Sequence, residues 1–148
     1  MDLTELAGQL DDAVVALRSA TLPRAGLSLT AAATLARLQR SGAARLTELA
    51  VAEGVSQPSM TTLIARLADQ GLVRRAADPR DGRAVVLTLT ETGEELLAQR
   101  RAERTTQITG PLADLPPADV RRIAEAMPAL IRLAGALRRP STPAEVTR

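Results

Sequence analysis

Between Thr30 and Leu89 the apolar residues change period, from helical steps of three and four to strand-like alternation, and that order limits the folds open to the chain. Thr30 opens a helix that runs through Leu35 and Leu38 to Gly42, a residue suited to the left-handed position after a helix end. Thr47 opens a short helix that ends at Gly54. Ser56 opens the next: its hydroxyl can accept a free first-turn amide, Pro58 is tolerated there because it has no N–H to satisfy, and Gly71 closes the helix. Three short helices in about forty residues, joined by tight turns, make a helix-turn-helix pattern. Residues 72–76 and 84–89 are then β-branched or alternating around Asp78-Pro79-Arg80-Asp81-Gly82-Arg83. This predicts a hairpin with a polar, arginine-bearing tip, whose register the adjacent Val85 and Val86 leave open.

The flanks are helical. Leu3, Leu6, Leu10, Val14 and Leu17 form one apolar stripe, which predicts a helix at about residues 3–20 that ends before Pro23 and Gly26. Thr90 caps a helix with Glu91, Glu94 and Glu95 in its first turns and Arg100, Arg101 and Arg104 later, the order that the helix dipole favours; Gly110-Pro111 is expected to end it. After Pro116-Pro117, the series Val120, Ile123, Met127, Leu130, Ala134, Leu137 alternates steps of three and four, a heptad-like seam for a partner helix. Pro128 lies inside that seam and predicts a kink or a local break. The fold class expected is mainly α with a small β-hairpin wing. A single domain at 1–139 would hold a winged helix-turn-helix lobe at about 28–90 between dimerisation helices at about 3–20 and 91–139, with 140–148 as a disordered tail.

Composition matters through its zeros. The 148 residues contain no Phe, Tyr, Trp, His or Cys, and all nineteen basic residues are arginine. That leaves no thiolate, no Schiff-base lysine, no imidazole and no zinc ligand set, so no cofactor, no metal and no enzymatic activity are expected. Adjacent carboxylates such as Asp11 and Asp12, or Glu94 and Glu95, point about 100° apart on a helix and have no companion base. The formal charge is only +2, and its one local excess is the hairpin, where Arg74, Arg75, Arg80 and Arg83 face Asp78 and Asp81. No apolar run is long enough to span a membrane and the first residues lack the pattern of a signal peptide, so a cytoplasmic protein is expected.

The helix beginning at Ser56 can be read by angle. Met60, Leu63, Ile64 and Leu67 fall on one side; Pro58, Thr62, Ala65 and Asp69 lie opposite, flanked by Ser59, Thr61 and Arg66. Such a small polar face fits the major groove of DNA, with Ser59, Thr61 and Thr62 at base edges or phosphates, Gln57 on adenine and first-turn amides on phosphate. It is also what a solvated helix presents. Arg80 can enter a minor groove or stay a hydrated loop charge. Asp81 and Arg83 can pair with each other, or Arg83 can contact phosphate directly. Helix-turn-helix followed at once by a basic-tipped hairpin is the winged-helix order, more specific than either half.

These residues resemble a known family. Leu49-Ala50, Gly54-Val55-Ser56, Leu67, Gly71-Leu72-Val73-Arg74-Arg75, the Asp78 to Arg83 hexapeptide and Leu89-Thr90-Glu91-Thr92-Gly93 are similar to the MarR family of bacterial transcriptional regulators, directly over about residues 28–95. The resemblance implies a homodimer with interleaved first, fifth and sixth helices, binding a pseudo-palindromic operator in double-stranded DNA, most simply as a repressor. It implies DNA contact through Ser56, Gln57, Pro58, Ser59, Thr61, Thr62, Arg66, Arg80 and Arg83, with Asp81 and Gly82 shaping the wing. Dimerisation would fall on Leu3, Leu6, Leu10, Val14, Val120, Ile123, Met127, Leu130 and Leu137. Many relatives hold aromatic acids in a pocket beside the dimer helices, often against aromatic or His side chains that this chain lacks. An effector pocket here would be aliphatic with an arginine, for which Arg18 and Arg24 are candidates as well as surface charges. A winged helix used for protein binding is the alternative function.

Overall fold

The computed structural model describes residues 2–21 and 26–137, and its contacts divide the chain into two compact units, Met1–Thr106 and Gln107–Arg148. Arg24 and the expected tail at 140–148 lie outside the described residues. The elements are α1 (Leu3–Thr21), α2 (Leu29–Ser41), β1 (Ala44–Arg45), α3 (Leu46–Ala52), α4 (Gln57–Asp69), β2 (Val73–Ala77), β3 (Val85–Leu89), α5 (Glu91–Ala113) and α6 (Pro117–Leu137). Mainly helical, with a small antiparallel sheet, the chain has the expected fold class.

The first unit is built on one core. Leu35 and Leu38 of α2, Leu49 of α3, Met60, Ile64 and Leu67 of α4, and Leu87 of β3 are almost completely buried together, with Ala31, Ala44, Leu72 and Val73 at the margins. The stripe of α4 therefore faces inward as its spacing predicts, with Leu63 half-buried beside it. Gly42 at φ 77° and Gly71 at φ 72° close α2 and α4 in the left-handed region that an L side chain avoids.

Two helix starts differ from the sequence reading. Ser28, not Thr30, caps α2: it is extended at φ −61° and ψ 162°, and its hydroxyl accepts the Ala31 amide at 3.2 Å. Starting there keeps the buried Ala31 inside the first turn. The cap position of α3 is Arg45 and not Thr47, because the strand β1 delivers an extended residue directly to the helix and Glu48 accepts the Arg45 amide at 2.8 Å. Ser56 and Thr90 cap as expected, accepting the amides of Ser59 at 3.2 Å and Gly93 at 3.1 Å.

β1 is a strand with no signal in the periodicity. It turns the hairpin into a three-stranded sheet, order β1-β3-β2, all antiparallel. The register pairs Val73 with Leu89, Arg75 with Leu87 and Ala77 with Val85, and on the other edge Ala44 with Leu87 and Arg45 with Val86. The adjacent valines are thereby separated: Val86 is buried on the face that carries Arg45 and Ala76, while Val85 is exposed.

Neither proline ends its helix: the stop expected at Gly110-Pro111 does not occur, nor, of the kink or local break expected at Pro128, does the break. α5 continues past Pro111 to Ala113, and α6 is continuous through Pro128. Gly110 has no Cβ to clash with the Pro111 ring, so only one backbone bond is lost, in the last turn. In α6, Pro128 likewise removes the single bond to the carbonyl four residues back, and the flanking turns persist. α1 and α6 have no buried residues: Leu3, Leu6 and Val14 on one, and Ile123, Met127, Leu130 and Leu137 on the other, are exposed, with Leu10 and Val120 half-buried.

Candidate nucleic-acid interface

The outward face of α4 carries Gln57, Pro58, Ser59, Thr61, Thr62 and Arg66, all exposed, with Ser56 exposed at its cap; Ala65 is half-buried. Its hydroxyls are oriented by the helix itself. Thr61 donates to the Gln57 carbonyl at 2.9 Å, Thr62 to the Pro58 carbonyl at 3.1 Å, and Ser56 to the Ser59 hydroxyl at 2.8 Å. Their protons are engaged, so in these rotamers Thr61 and Thr62 present acceptor lone pairs outward. The anion-binding capacity of the first turn is narrower than the sequence suggests. Pro58 has no N–H and Ser56 takes the amides of Ser59 and Met60, which leaves that of Gln57.

The wing is a loop closed by aspartates. Asp78 donates its amide to Ala84 at 2.9 Å and accepts from the Arg80 amide through Oδ1 at 2.9 Å; Asp81 accepts the Arg83 amide at 3.2 Å. These turns, in which a carboxylate takes the amide two residues on, hold the backbone of the tip. The predicted alternative of an Asp81–Arg83 side-chain salt bridge is not what forms: at this separation the Asp81 carboxylate meets the Arg83 backbone instead. Gly82 lies exposed at the tip with Arg80 and Arg83, and among the described residues neither guanidinium has an ion-pair partner.

Below the tip lies a contact that spacing did not reveal. The Asp78 side chain is buried, and its Oδ2 accepts two bonds from Arg45, from Nη2 at 2.7 Å and from Nε at 3.1 Å. The Arg80 amide and the Arg45 guanidinium together hold the Asp78 carboxyl below its ordinary pKa of 3.8, and the bond to Asp78 raises that of Arg45. A second ion pair, Arg37 to Glu53 at 2.9 Å, ties α2 to the end of α3.

The first unit also contains a half-open pocket of about 440 Å³, lined by Leu27, Ala31, Leu63, Leu67 and Leu96 with Ser28, Arg66, Gln70 and Arg100 as its polar side chains. Arg100 is only 9% exposed, and among the described residues no carboxylate pairs with it. Gly26 lies against it: a Cβ there would be 3.1 Å from Arg100 Nη1. In the sequence Arg100 stands with Arg101 and Arg104 as one of the late basic residues that the helix dipole favours. Its spacing from Gly93, Leu96 and Leu97, all on one helical face, is the signal that it points inward. Arg18 is exposed on α1 and does not line this cavity.

The profile of the MarR family matches residues 27–85. An uncharacterized HTH-type transcriptional regulator of Mycobacterium bovis is 41% identical over 93 residues, which are 63% of this chain and 65% of that protein. One from Bacillus subtilis is 35% identical over 77 residues, 50% of this chain and 54% of its own. The matched stretch thus falls short of the full length of these relatives. Among solved structures, a transcriptional regulator from Thermotoga maritima superposes with a TM-score of 0.77 at 24% identity, covering 90% of this chain and 96% of that one. BpsR of Bordetella bronchiseptica, whose DNA binding is regulated by 6-hydroxynicotinic acid, gives a TM-score of 0.54 at 24% identity, over 87% and 92% of the two chains. These last two likenesses concern the fold.

Proposed function

With residues 27–85 belonging to the MarR family of winged helix-turn-helix regulators, we propose that the chain is a homodimeric, sequence-specific DNA-binding regulator, acting as a repressor in the bacterial cytoplasm. The observation that carries this reading is the pairing, on one compact unit, of a bare polar helix face with a backbone-anchored Arg80 that has no ion-pair partner among the described residues, at the tip of the adjoining wing. α4 enters the major groove, where Gln57, Thr61 and Thr62 meet base edges and Ser56, Ser59 and Arg66 meet phosphates. Arg80 enters the flanking minor groove, where A·T-rich sequence narrows the groove and deepens its negative potential. Arg83 lies against phosphate. The exposed apolar stripes of α1 and α6 are covered by a second copy, which gives the two-fold symmetry that a pseudo-palindromic operator matches.

A small ligand releases the operator. The support is the cavity holding Arg100, a buried cation with no carboxylate paired to it among the described residues, beside Arg66 at the end of the recognition helix. Its walls are aliphatic and nothing in the chain offers an aromatic ring, so the ligand class is a compact carboxylate with an apolar body. Such a ligand weakens operator binding by the parent protein and has no effect on an Arg100→Gln variant that still binds DNA.

Selection of bound fragments from random duplex DNA tests the main reading. The expected result is enrichment of an inverted repeat with half-sites about one helical turn apart. Recovery of fragments with no shared sequence, together with a stable folded monomer in sedimentation, would replace it with the protein-interaction alternative.

A further inference from the structure

We propose that Arg45 is a positioning residue that couples the wing to the helix-turn-helix, so that placement of Arg80 depends on a side chain that touches neither groove; the consequence for DNA rests on the function proposed above. Three contacts meet at this residue. Its backbone is the cap position of α3, with the amide on Glu48 at 2.8 Å. It is also half of β1, paired with Val86 of β3. Its guanidinium grips Asp78 Oδ2 at 2.7 Å, and the other oxygen of that same carboxylate holds the Arg80 amide at 2.9 Å.

The chain of contacts therefore runs from the start of α3, through one guanidinium and one carboxylate, to the backbone of the arginine at the wing tip. Asp78 is buried, and without Arg45 its charge would keep, among the described residues, only the Arg80 amide as a hydrogen-bond donor to its side chain. Arg45 is suited to the task because its planar fork directs two donors onto the single oxygen Oδ2, which seats the guanidinium there and leaves Oδ1 for the Arg80 amide. Lysine at this position would offer a point charge without that orientation. The backbone roles of Arg45 survive replacement by glutamine, so the coupling can be removed while the helix cap and strand pairing remain.

The experiment compares the parent, Arg45→Gln, Arg45→Lys, Arg80→Ala and the Arg45→Gln/Arg80→Ala double variant, as full chains, by two measurements. Hydrogen exchange of the free protein, which needs no DNA, is expected to show the Arg80 amide losing protection in Arg45→Gln, partly regaining it in Arg45→Lys, and the amides of α4 unchanged. On a selected operator duplex, Arg45→Gln and Arg80→Ala are each expected to lose about tenfold or more in affinity, and the double variant to be no weaker than Arg80→Ala alone. Unchanged protection at Arg80 in Arg45→Gln would overturn the proposal, as would losses that multiply in the double variant. Should Arg80→Ala bind like the parent, the minor-groove role is what fails, and the exchange data still decide the coupling.

Discussion

Gly93 lets α5 start where it does. A Cβ at that position would collide with the Leu72 carbonyl oxygen and stand 2.6 Å from Leu89 Cδ1, so Gly93→Ala is expected to destabilise the first unit by about 1–3 kcal/mol in urea denaturation. Thr34 is the opposite case. Its hydroxyl is fully buried and has no hydrogen-bond partner among the described residues, and Thr34→Val, which keeps the shape and removes the orphaned group, is expected to raise stability by about 1 kcal/mol in the same assay. Asp78 sets a pH dependence. Its carboxyl titrates below 3.8 in the folded chain, so its contribution is complete above that value and is lost as pH falls through the lower, folded one. The Arg80 amide resonance is therefore expected to stay constant from neutral pH down to the ordinary carboxylate range and to move only below 3.8, a change absent in Asp78→Asn. None of these three residues announces its role locally. Gly93 and Asp78 are defined by partners brought in from distant parts of the chain, and Thr34 sits on a helical face whose other members are plainly apolar.

Elements were more legible than single residues. The inward face of α4 follows from the steps between Met60, Ile64 and Leu67, and the hairpin follows from alternation around a turn-forming hexapeptide, because burial on one face writes itself into sequence as a period. Where an element has no room for a period, the signal vanishes: β1 is two residues long and exists because the edge of β3 has unpaired backbone groups to offer. Helix starts moved by two residues at α2 and α3, since Ser, Thr and Arg are all present nearby and tertiary packing selects among them. The interface proposed here uses both the helix and the wing, and the two separate by substitution. Arg80→Ala is expected to cost about 1–3 kcal/mol of operator affinity, with the loss concentrated on operators whose wing-contacted flank is A·T-rich. Equal loss on A·T-rich and G·C-rich flanks, measured by fluorescence anisotropy, would assign Arg80 to phosphate instead of the groove.

At the scale of the molecule, the zeros in the composition and the exposed stripes belong together. A chain without aromatic rings builds its core from leucine, isoleucine, methionine and alanine, and it leaves large aliphatic side chains on α1 and α6 in contact with solvent: Leu3 is 80% exposed and Leu137 78%. Exposed apolar stripes are what the proposed dimer would cover. Ile123→Arg combined with Met127→Arg is expected to leave a folded chain that sediments as a monomer and binds the operator far more weakly, because each lobe then acts alone. The resemblance seen in the sequence already implied a dimer on DNA, and the geometry of α4, the wing and the stripes supports that reading. The titration of a selected operator duplex against salt tests it most directly. If each lobe of the dimer neutralises about four phosphates, log affinity falls against log salt with a slope of about −7, and two chains bind per duplex. A flat salt response, or saturation at one chain per duplex, would contradict it.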